Sequence, residues 1–451
     1  MRDLETRYAR AADGTYIAYQ TAGTGPIDVV WQPDWPGNID MEWEFPVLQS
    51  FLGGIASFAR LIRHDHRGVG LSSRNVPIPN LETRVSDLLA VLDAADVPSP
   101  VLVGTGASGS VHALLAATRP ERGAALVWFD GAPRYAWAQD NPWGRKPEEM
   151  EAELVELETW GTEEYGRSFV AFEASIGNFL PDSDIDAFSK ASRNACTPDV
   201  AIELTRMWAN TDVRDVLPAI QIPTLIVCMS SLGEVDRGKD IAARIPQAEF
   251  VEIPGEGWTR ATAERYVEEL RQFVGAGRPP VDVDSLLSTV LFTDIVGSTE
   301  RQAALGDRGW SDLVDGHHDR VRRALERWHG VEQDTAGDGF YATFEGPARA
   351  IRCAHEIVES VRELGIEIRA GVHTGECRII DGKIGGIAVS IGARVAATAA
   401  PSEVRVSQTV KDLVAGSGLR FEDAGEHELK GVPGRWRLYI VPDDQGIGTQ
   451  V

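Results

Sequence analysis

The hydrophobic pattern divides the chain into two stretches with different predicted architectures. Up to about residue 274, short apolar runs such as IDVVW, PVLVG, ALVWFD and PTLIVCM alternate with amphipathic segments such as LETRVSDLLAVLDAA. Strands that alternate with helices in this way are typical of right-handed β-α-β units. The first stretch is therefore predicted to be an α/β domain with a mainly parallel sheet.

The second stretch has another order of predicted elements. A strand (STVLFTD) is followed by helices ending in RVRRALERW, by the hairpin VEQDTAGDGFYATF, and then by alternating helices and strands. This order is close to β-α-β-β-α-β, which predicts a small sheet with helices on one face.

A Gly- and Pro-rich segment, GAGRPP, separates the two stretches and is the best linker candidate. The 451 residues also exceed what one hydrophobic core normally organises. We therefore assign residues 1–274 to a first domain, 275–285 to a linker, 286–443 to a second domain and 444–451 to a tail.

Charge and composition exclude several classes of function. The formal net charge of −24 argues against nucleic acid or an anionic membrane as a partner, since both require clustered Lys and Arg. The four cysteines are scattered without metal-binding spacing. The first residues lack an apolar signal region, and no run approaches the roughly 18 apolar residues of a membrane span. We expect a cytoplasmic protein.

Two aspartates follow apolar strands in the second domain: Asp294 in FTDIVGST and Asp338 in AGDGF. Carboxylates at neighbouring strand ends can converge on one or two hard cations, and Mg²⁺ or Mn²⁺ leaves coordination positions open for phosphates. The structural alternative makes Asp294 a helix cap and Asp338 a hairpin-turn residue. A metal-dependent nucleotide site is the first hypothesis.

These strings, together with RAGVHTGE, VSIGARVA and ELKGVPG, resemble the catalytic domain of class III adenylate and guanylate cyclases over residues 286–441. The resemblance implies a ferredoxin-like fold. It also implies an enzyme that converts a nucleoside triphosphate to a 3′,5′-cyclic nucleotide and pyrophosphate. It also implies two Mg²⁺ or Mn²⁺ ions, held by Asp294, Asp338 and the carbonyl of Ile295. Because subunits of this family share their sites, it further implies a homodimer.

Residues after the first aspartate are candidates for phosphate binding. Gly297, Ser298 and Thr299 open a predicted helix, whose free N–H groups and dipole can face a phosphate. For the side chains of Ser298 and Thr299 we favour a helix-capping role. The backbone then carries the phosphate hypothesis.

Three further residues match positions that contact substrate in the family. Arg394 matches the arginine that stabilises the phosphorus centre, and its alternative is a surface ion pair. Ser390 replaces the family asparagine that orients the ribose, from which a reduced rate is expected. Lys430 matches the lysine that reaches the terminal phosphates, and its alternative is an exposed lysine at a strand end.

The base-reading positions depart from the family pattern. Adenylate-type members carry Lys and Asp where this chain has Asp334 and Lys383, so the two charges are exchanged. Either adenine or guanine can satisfy one carboxylate and one ammonium. Alternatively, the two side chains pair with each other, or Lys383 lies in a mobile turn. ATP is favoured as the substrate, and a guanylate cyclase or a nucleotide-binding pseudoenzyme are the alternatives.

The first domain resembles the α/β-hydrolase fold through RLIRHDHRGVGLSS, PVLVGTGASGSVHALLAATRPER and IPTLIVCM. Its nucleophile elbow, G-x-S-x-G in active members, has Gly106 in place of the serine. Ser108 lies two residues further on, SSLGEVD lacks an aspartate at the expected place, and Trp258 occupies the histidine position. The domain is predicted to be inactive, with ester hydrolysis as the less favoured alternative.

A lid is expected over residues 131–213, and nine of the twelve tryptophans precede the linker. Aromatic side chains commonly line small-molecule pockets, so a small apolar ligand is one candidate partner. Core packing or lid anchoring explains the tryptophans equally well.

Overall fold

The computed structural model describes residues 4–33, 37–175, 183–230, 235–255, 257–276, 285–380 and 383–443. The chain divides into two structural units, residues 1–283 and residues 284–451. Most of the predicted linker (277–284) and the predicted tail (444–451) lie outside the described residues. Each unit is described by itself.

The described residues of the first unit contain an eight-stranded sheet. Its strands are β1 (Arg7–Arg10), β2 (Tyr16–Ala22), β3 (Ile27–Gln32), β4 (Ala59–His64), β5 (Val101–Thr105), β6 (Ala125–Phe129), β7 (Thr224–Met229) and β8 (Glu249–Ile253). The strand order is β1-β2-β4-β3-β5-β6-β7-β8. β1, β2 and β4 are antiparallel neighbours, and from β4 onwards all neighbours are parallel. The predicted mainly parallel sheet is confirmed.

Helices cover both faces of this sheet. The described helices of this unit are α1 (Pro46–Ala56), α2 (Leu81–Ala94), α3 (Gly109–Thr118), α4 (Pro147–Glu156), α5 (Glu163–Ser175), α6 (Ser183–Ala195), α7 (Pro198–Ala209), α8 (Val235–Arg244) and α9 (Arg260–Gly275). Of these, α1 to α3, α8 and α9 pack on the sheet. Phe51 of α1 and Tyr266 of α9 pack against Phe129 of β6 on one face. The neighbouring Trp128 lies against Gly109 of α3 on the other face. Burial on both faces explains why the strands are continuous apolar runs.

The predicted lid corresponds to a helical segment between β6 and β7. Helices α4 to α7 lie in this segment, and its hydrophobic cluster contains Leu157, Trp160, Leu204 and Met207 together with Val69 from the chain before β5. Residues 176–182 of the segment lie outside the described residues.

In the described part of the second unit, seven strands form a sheet in the order β10-β11-β9-β12-β14-β16-β15, and β13 pairs with β12. The strands are β9 (Ser285–Ile295), β10 (Val331–Ala336), β11 (Gly339–Phe344), β12 (Ile368–Ile380), β13 (Lys383–Gly385), β14 (Val404–Ser407), β15 (Glu422–Glu428) and β16 (Arg435–Val441). The helices are α10 (Ser298–Trp328), α11 (Pro347–Val361), α12 (Ile387–Thr398) and α13 (Gln408–Leu413). Among the helices described in both units, none is long and apolar enough to cross a membrane.

The position of α12 corrects one expectation. Leu291 of β9 faces a core built with Ile351 of α11, as the sequence predicted for helices on one face. Its neighbour Val290 points to the opposite face, where it packs with Ala388 of α12. The prediction that all helices lie on one face is therefore wrong for α12, because both sides of β9 are apolar and both need cover.

Candidate functional site

Asp294 and Asp338 lie at the same end of two neighbouring strands. Asp294 is the penultimate residue of β9, and Asp338 lies in the turn between β10 and β11. The antiparallel pairing of β9 with β11, which places Thr293 opposite Phe340, brings the two positions together. The residue after Asp294 is hydrogen-bonded to Asp338: the N–H of Ile295 donates to Oδ2 of Asp338 at 3.0 Å.

Arg369 is a site residue that the sequence did not reveal. It lies in β12 directly opposite Asp294. Its Nε donates to Oδ1 of Asp294 at 3.0 Å and its Nη2 donates to Oδ2 at 2.6 Å. These hydrogen bonds raise the pKa of Arg369 above its usual value. Only the register between β9 and β12 shows this contact, since 75 residues separate the two side chains.

The helix after Asp294 begins with a glycine rather than with a capping side chain. Gly297 is the N-cap of α10, has a φ of 67° and makes no side-chain cap hydrogen bond, and α10 begins at Ser298. The capping role expected for the Ser298 and Thr299 hydroxyls is therefore not observed. An N-cap without a side chain leaves the first N–H groups of the helix free of side-chain acceptors, as an anion site requires.

Ser390, Arg394 and Lys430 lie on other elements of the second unit. Ser390 and Arg394 are exposed on α12, one turn apart, and Lys430 is exposed just beyond β15. Among the described residues, Arg394 has no ion-pair partner, so its alternative role as a surface ion pair is not supported within one copy. The sheet places β15 five inter-strand steps from β11, which at about 4.8 Å per step is about 24 Å. One copy of the chain does not bring Lys430 to Asp338.

The nucleophile elbow of the first unit is present without a nucleophile. Gly106 follows β5 with a left-handed φ of 48°, a conformation that glycine adopts without strain. Ser108 is fully buried, and its Oγ donates to the carbonyls of Thr105 at 2.7 Å and Gln32 at 3.0 Å. A hydroxyl held by backbone acceptors inside the fold is unavailable for attack on a substrate.

A cavity of about 1140 Å³ opens at this elbow, and its lining includes Gly106, Trp258 and Asp130. Trp258, at the position expected for histidine, stacks on Tyr266 with ring centroids 5.1 Å apart. The sequence analysis missed Asp130, a carboxylate directly after the apolar strand ALVWF. Its Oδ2 accepts a 2.5 Å hydrogen bond from the Tyr266 hydroxyl and its Oδ1 accepts one from the N–H of Met229. Burial raises the pKa of Asp130.

Residues 287–443 match the family model described as the adenylate and guanylate cyclase catalytic domain. The second unit is a domain of this cyclase family. The resemblance inferred from FTDIVGST and AGDGF is thereby confirmed. A curated relative named putative adenylate cyclase 3, from Rhizobium meliloti (strain 1021), is 29% identical over 126 residues, which cover 25% of this chain and 22% of that protein.

The first unit resembles α/β-hydrolases in sequence and in fold. A putative non-heme chloroperoxidase from Synechocystis sp. (strain ATCC 27184 / PCC 6803 / Kazusa) is 28% identical over 262 residues, which cover 54% of this chain and 90% of that protein. An esterase from Exiguobacterium antarcticum has the same fold, with a TM-score of 0.52 at 21% identity, over 60% of this chain and all of that one. Other curated relatives are covered over only 16% and 59% of their own lengths.

The carboxylates of the cyclase domain fit a divalent cation. Asp294 and Asp338 supply the hard oxygen ligands that Mg²⁺ and Mn²⁺ prefer. The guanidinium of Arg369 already places a positive charge against both oxygens of Asp294. Among the described residues, no group of three or more His, Cys, Asp or Glu side chains is arranged to hold a metal ion. Two protein carboxylates leave most coordination positions to water and phosphate, as Mg²⁺ favours in nucleotide sites.

The two base-reading candidates of the cyclase domain lie on different strands. Asp334 is exposed in β10 at an irregularity of the strand pairing, and its Oδ1 accepts a hydrogen bond from the N–H of Thr335 at 3.0 Å. Lys383 is the first residue of β13, paired with Ile380 of β12. The side chain of Lys383 lies outside the described part of the structure, so their mutual pairing stays an untested alternative.

Proposed function

We propose that the chain is a nucleotidyl cyclase that converts ATP to 3′,5′-cyclic AMP and pyrophosphate in the cytoplasm. The observation that carries the proposal is the meeting of Asp294 and Asp338 at adjoining strand ends of a cyclase-family domain. Two Mg²⁺ or Mn²⁺ ions, held by these carboxylates and by the carbonyl of Ile295, would polarise the α-phosphate and offset the charge of the leaving pyrophosphate.

The protein groups around this pair have distinct roles in the proposal. Asp294 would hold a cation in place of its ion pair with Arg369, and the guanidinium of Arg369 would then be available as a donor for phosphate oxygens. The start of α10 at Gly297 offers backbone N–H groups and a positive dipole end to the triphosphate. Ser298 and Thr299 contribute through their backbone.

A second copy of the chain completes each site. Arg394 and Lys430 carry the cations suited to a pentacoordinate phosphorus and to terminal phosphates, but the sheet order separates Lys430 from Asp338 by about 24 Å. In the proposed two-fold homodimer, α12 and the end of β15 of one copy lie beside the carboxylates of the other copy. An isologous interface repeats each contact, so the same arrangement occurs twice. The dimer then contains two composite sites.

The choice of base rests on Asp334 and Lys383. Adenine presents a donor at N6 and an acceptor at N1, which a carboxylate and an ammonium can satisfy. Guanine presents donors at N1 and N2 and an acceptor at O6, which the same pair can also satisfy. ATP is our first candidate substrate and GTP is the alternative.

For the first unit we propose a ligand-binding regulatory role rather than catalysis. Its cavity of about 1140 Å³ exceeds the roughly 300 to 1,000 Å³ typical of small-molecule pockets. The aromatic side chains of Trp31, Phe45 and Trp258 line it. One pair of opposite charges in the lining, Arg145 and Glu153, is compensated internally at 3.1 Å. The aromatic lining is the feature that favours an apolar ligand. Regulation of the cyclase requires that this ligand bind two states of the protein with different affinity.

The proposal is tested with purified protein, Mn²⁺ and each of the four nucleoside triphosphates, with products resolved by mass spectrometry. We expect cyclic AMP and pyrophosphate from ATP, a loss of at least about 100-fold in Asp294→Asn and Asp338→Asn, and unchanged activity in the exposed-helix control Asp312→Asn. Cyclic GMP as the main product would reassign the substrate. No cyclic product from any nucleotide would leave the pseudoenzyme alternative, for which the replacement of asparagine by Ser390 is the specific reason.

A further inference from the structure

The turn that carries Asp338 is only lightly packed. Asp338 lies between Gly337, with a φ of 64°, and Gly339. A Cβ placed at Gly337 would meet no atom within 4 Å, so the side of the turn on which a side chain would project is open. Metal-binding carboxylates need placement to within about 0.5 Å, which such a turn does not secure by packing. Hydrogen bonds must supply the remaining restraint.

Two hydrogen bonds restrain this turn from outside the hairpin. The first runs from the N–H of Ile295 to Oδ2 of Asp338. It uses one oxygen of the same carboxylate that a cation would bind. The second joins Nε2 of His318, on α10, to the carbonyl oxygen of Gly337 at 3.1 Å. A carbonyl oxygen only accepts, so Nε2 of His318 carries the hydrogen. This second bond uses neither oxygen of the Asp338 carboxylate.

His318 is itself held in place by its surroundings. Its imidazole meets the ring of Phe340 edge-on, with centroids 4.9 Å apart and planes at 88°. Phe340 is a buried residue of β11. One turn further along α10, Arg322 lies over the same ring at 5.7 Å and donates two hydrogen bonds to Glu332 at 2.9 and 3.0 Å. Helix α10 thus contacts the hairpin at two points, at its tip through His318 and at strand β10 through Arg322.

We propose that His318 is a positioning residue for metal binding, which holds the main chain of the Asp338 turn through the carbonyl of Gly337. This inference rests on the proposed metal-dependent function. It assigns a role to a histidine that contacts neither the metal nor the substrate. His318 restrains only the turn at the tip of the hairpin, whereas Arg322 contacts strand β10.

The experiment measures Mn²⁺ binding to the full-length protein without nucleotide, by electron paramagnetic resonance of free Mn²⁺. His318→Phe keeps the ring against Phe340 and removes the donor, whereas His318→Gln keeps an amide donor at the same number of bonds from the backbone. Arg322→Ala is the matched control, because it removes the other contact of α10 with the hairpin, the hydrogen bonds to Glu332. Thermal unfolding of each variant verifies that it is folded.

We expect Mn²⁺ affinity to fall about three- to ten-fold in His318→Phe, the range for loss of one hydrogen bond, and to stay within about two-fold of wild type in His318→Gln and Arg322→Ala. Wild-type affinity in a folded His318→Phe would overturn the inference, as would an equal loss in Arg322→Ala. If the wild-type protein binds no Mn²⁺, the proposed function fails as well. If it binds Mn²⁺ and only the His318 variants behave otherwise than expected, the positioning role alone fails.

Discussion

Subunit complementation tests the composite site most directly. The perturbation places Asp294→Asn in one copy and Arg394→Ala in the other, and two affinity tags isolate the mixed dimer. Each variant alone loses about 10²- to 10³-fold in rate, since each lacks a group that stabilises transition-state charge. In the mixed dimer, one site lacks both groups and the other site is intact.

The magnitude follows from the strand order. About 24 Å separates β15 from β11 within one copy, so a site that uses Lys430 takes its carboxylates from the other copy. The dimer proposal assigns Arg394 to the same copy as Lys430, because α12 packs against Leu429, the residue before Lys430. One intact site of two predicts about half of the wild-type rate per dimer. The assay is cyclic nucleotide formation from the tandem-purified dimer, with dimerisation checked by light scattering.

The matched control pairs a wild-type chain with a chain that carries both substitutions. Shared sites predict that this dimer is inactive, because each of its sites lacks one group. Sites built within one copy predict the reverse: half activity for the control dimer and none for the dimer of single variants. That reversed result would refute the dimer model.

Three further outcomes are expected. Gly106→Ser creates no hydrolysis of nitrophenyl butyrate, because a serine without a histidine base is not activated; measurable turnover would restore the esterase alternative. Arg369→Gln binds Mn²⁺ more tightly in calorimetry but raises KM for the triphosphate, since a competing cation and a phosphate donor are both lost. Burial lowers the pKa of His373 to about 4. The folded state therefore favours the neutral imidazole, and its free energy of unfolding falls as the pH drops from about 6.5 towards 4. We expect the loss of unfolding free energy between pH 7 and pH 5, measured by urea unfolding, to be about 2 kcal/mol smaller in His373→Gln than in the wild type.

Short-range patterns were sufficient to predict much of both folds. The apolar runs before Asp294 and Gly106 marked strands β9 and β5, because strands buried on both faces are written in the sequence as continuous hydrophobic segments. The predicted order of elements was also confirmed. The side of the sheet taken by α12 was not predictable in the same way, since it depends on which face of β9 remains uncovered by α10 and α11.

The contacts of the candidate site were not predictable from the motifs. Asp294 and Asp338 were predicted as candidates from FTDIVGST and AGDGF, but the ion pair between Asp294 and Arg369 depends on strand register. The hydrogen bond from His318 to Gly337 likewise depends on the path of a helix over a hairpin. Asp130 was overlooked because a single aspartate after a strand carries no motif, and only its hydroxyl partner Tyr266 distinguishes it. Roles that arise from pairs distant in the chain require coordinates.

The missing nucleophile at Gly106 bears on how long a ligand would occupy the cavity. Under the regulatory role proposed for the first unit, a molecule that enters the cavity would leave it chemically unchanged, so dissociation and not turnover would set its residence time. The fraction of occupied protein would then follow the surrounding concentration in both directions, and the first unit would report a falling level as readily as a rising one.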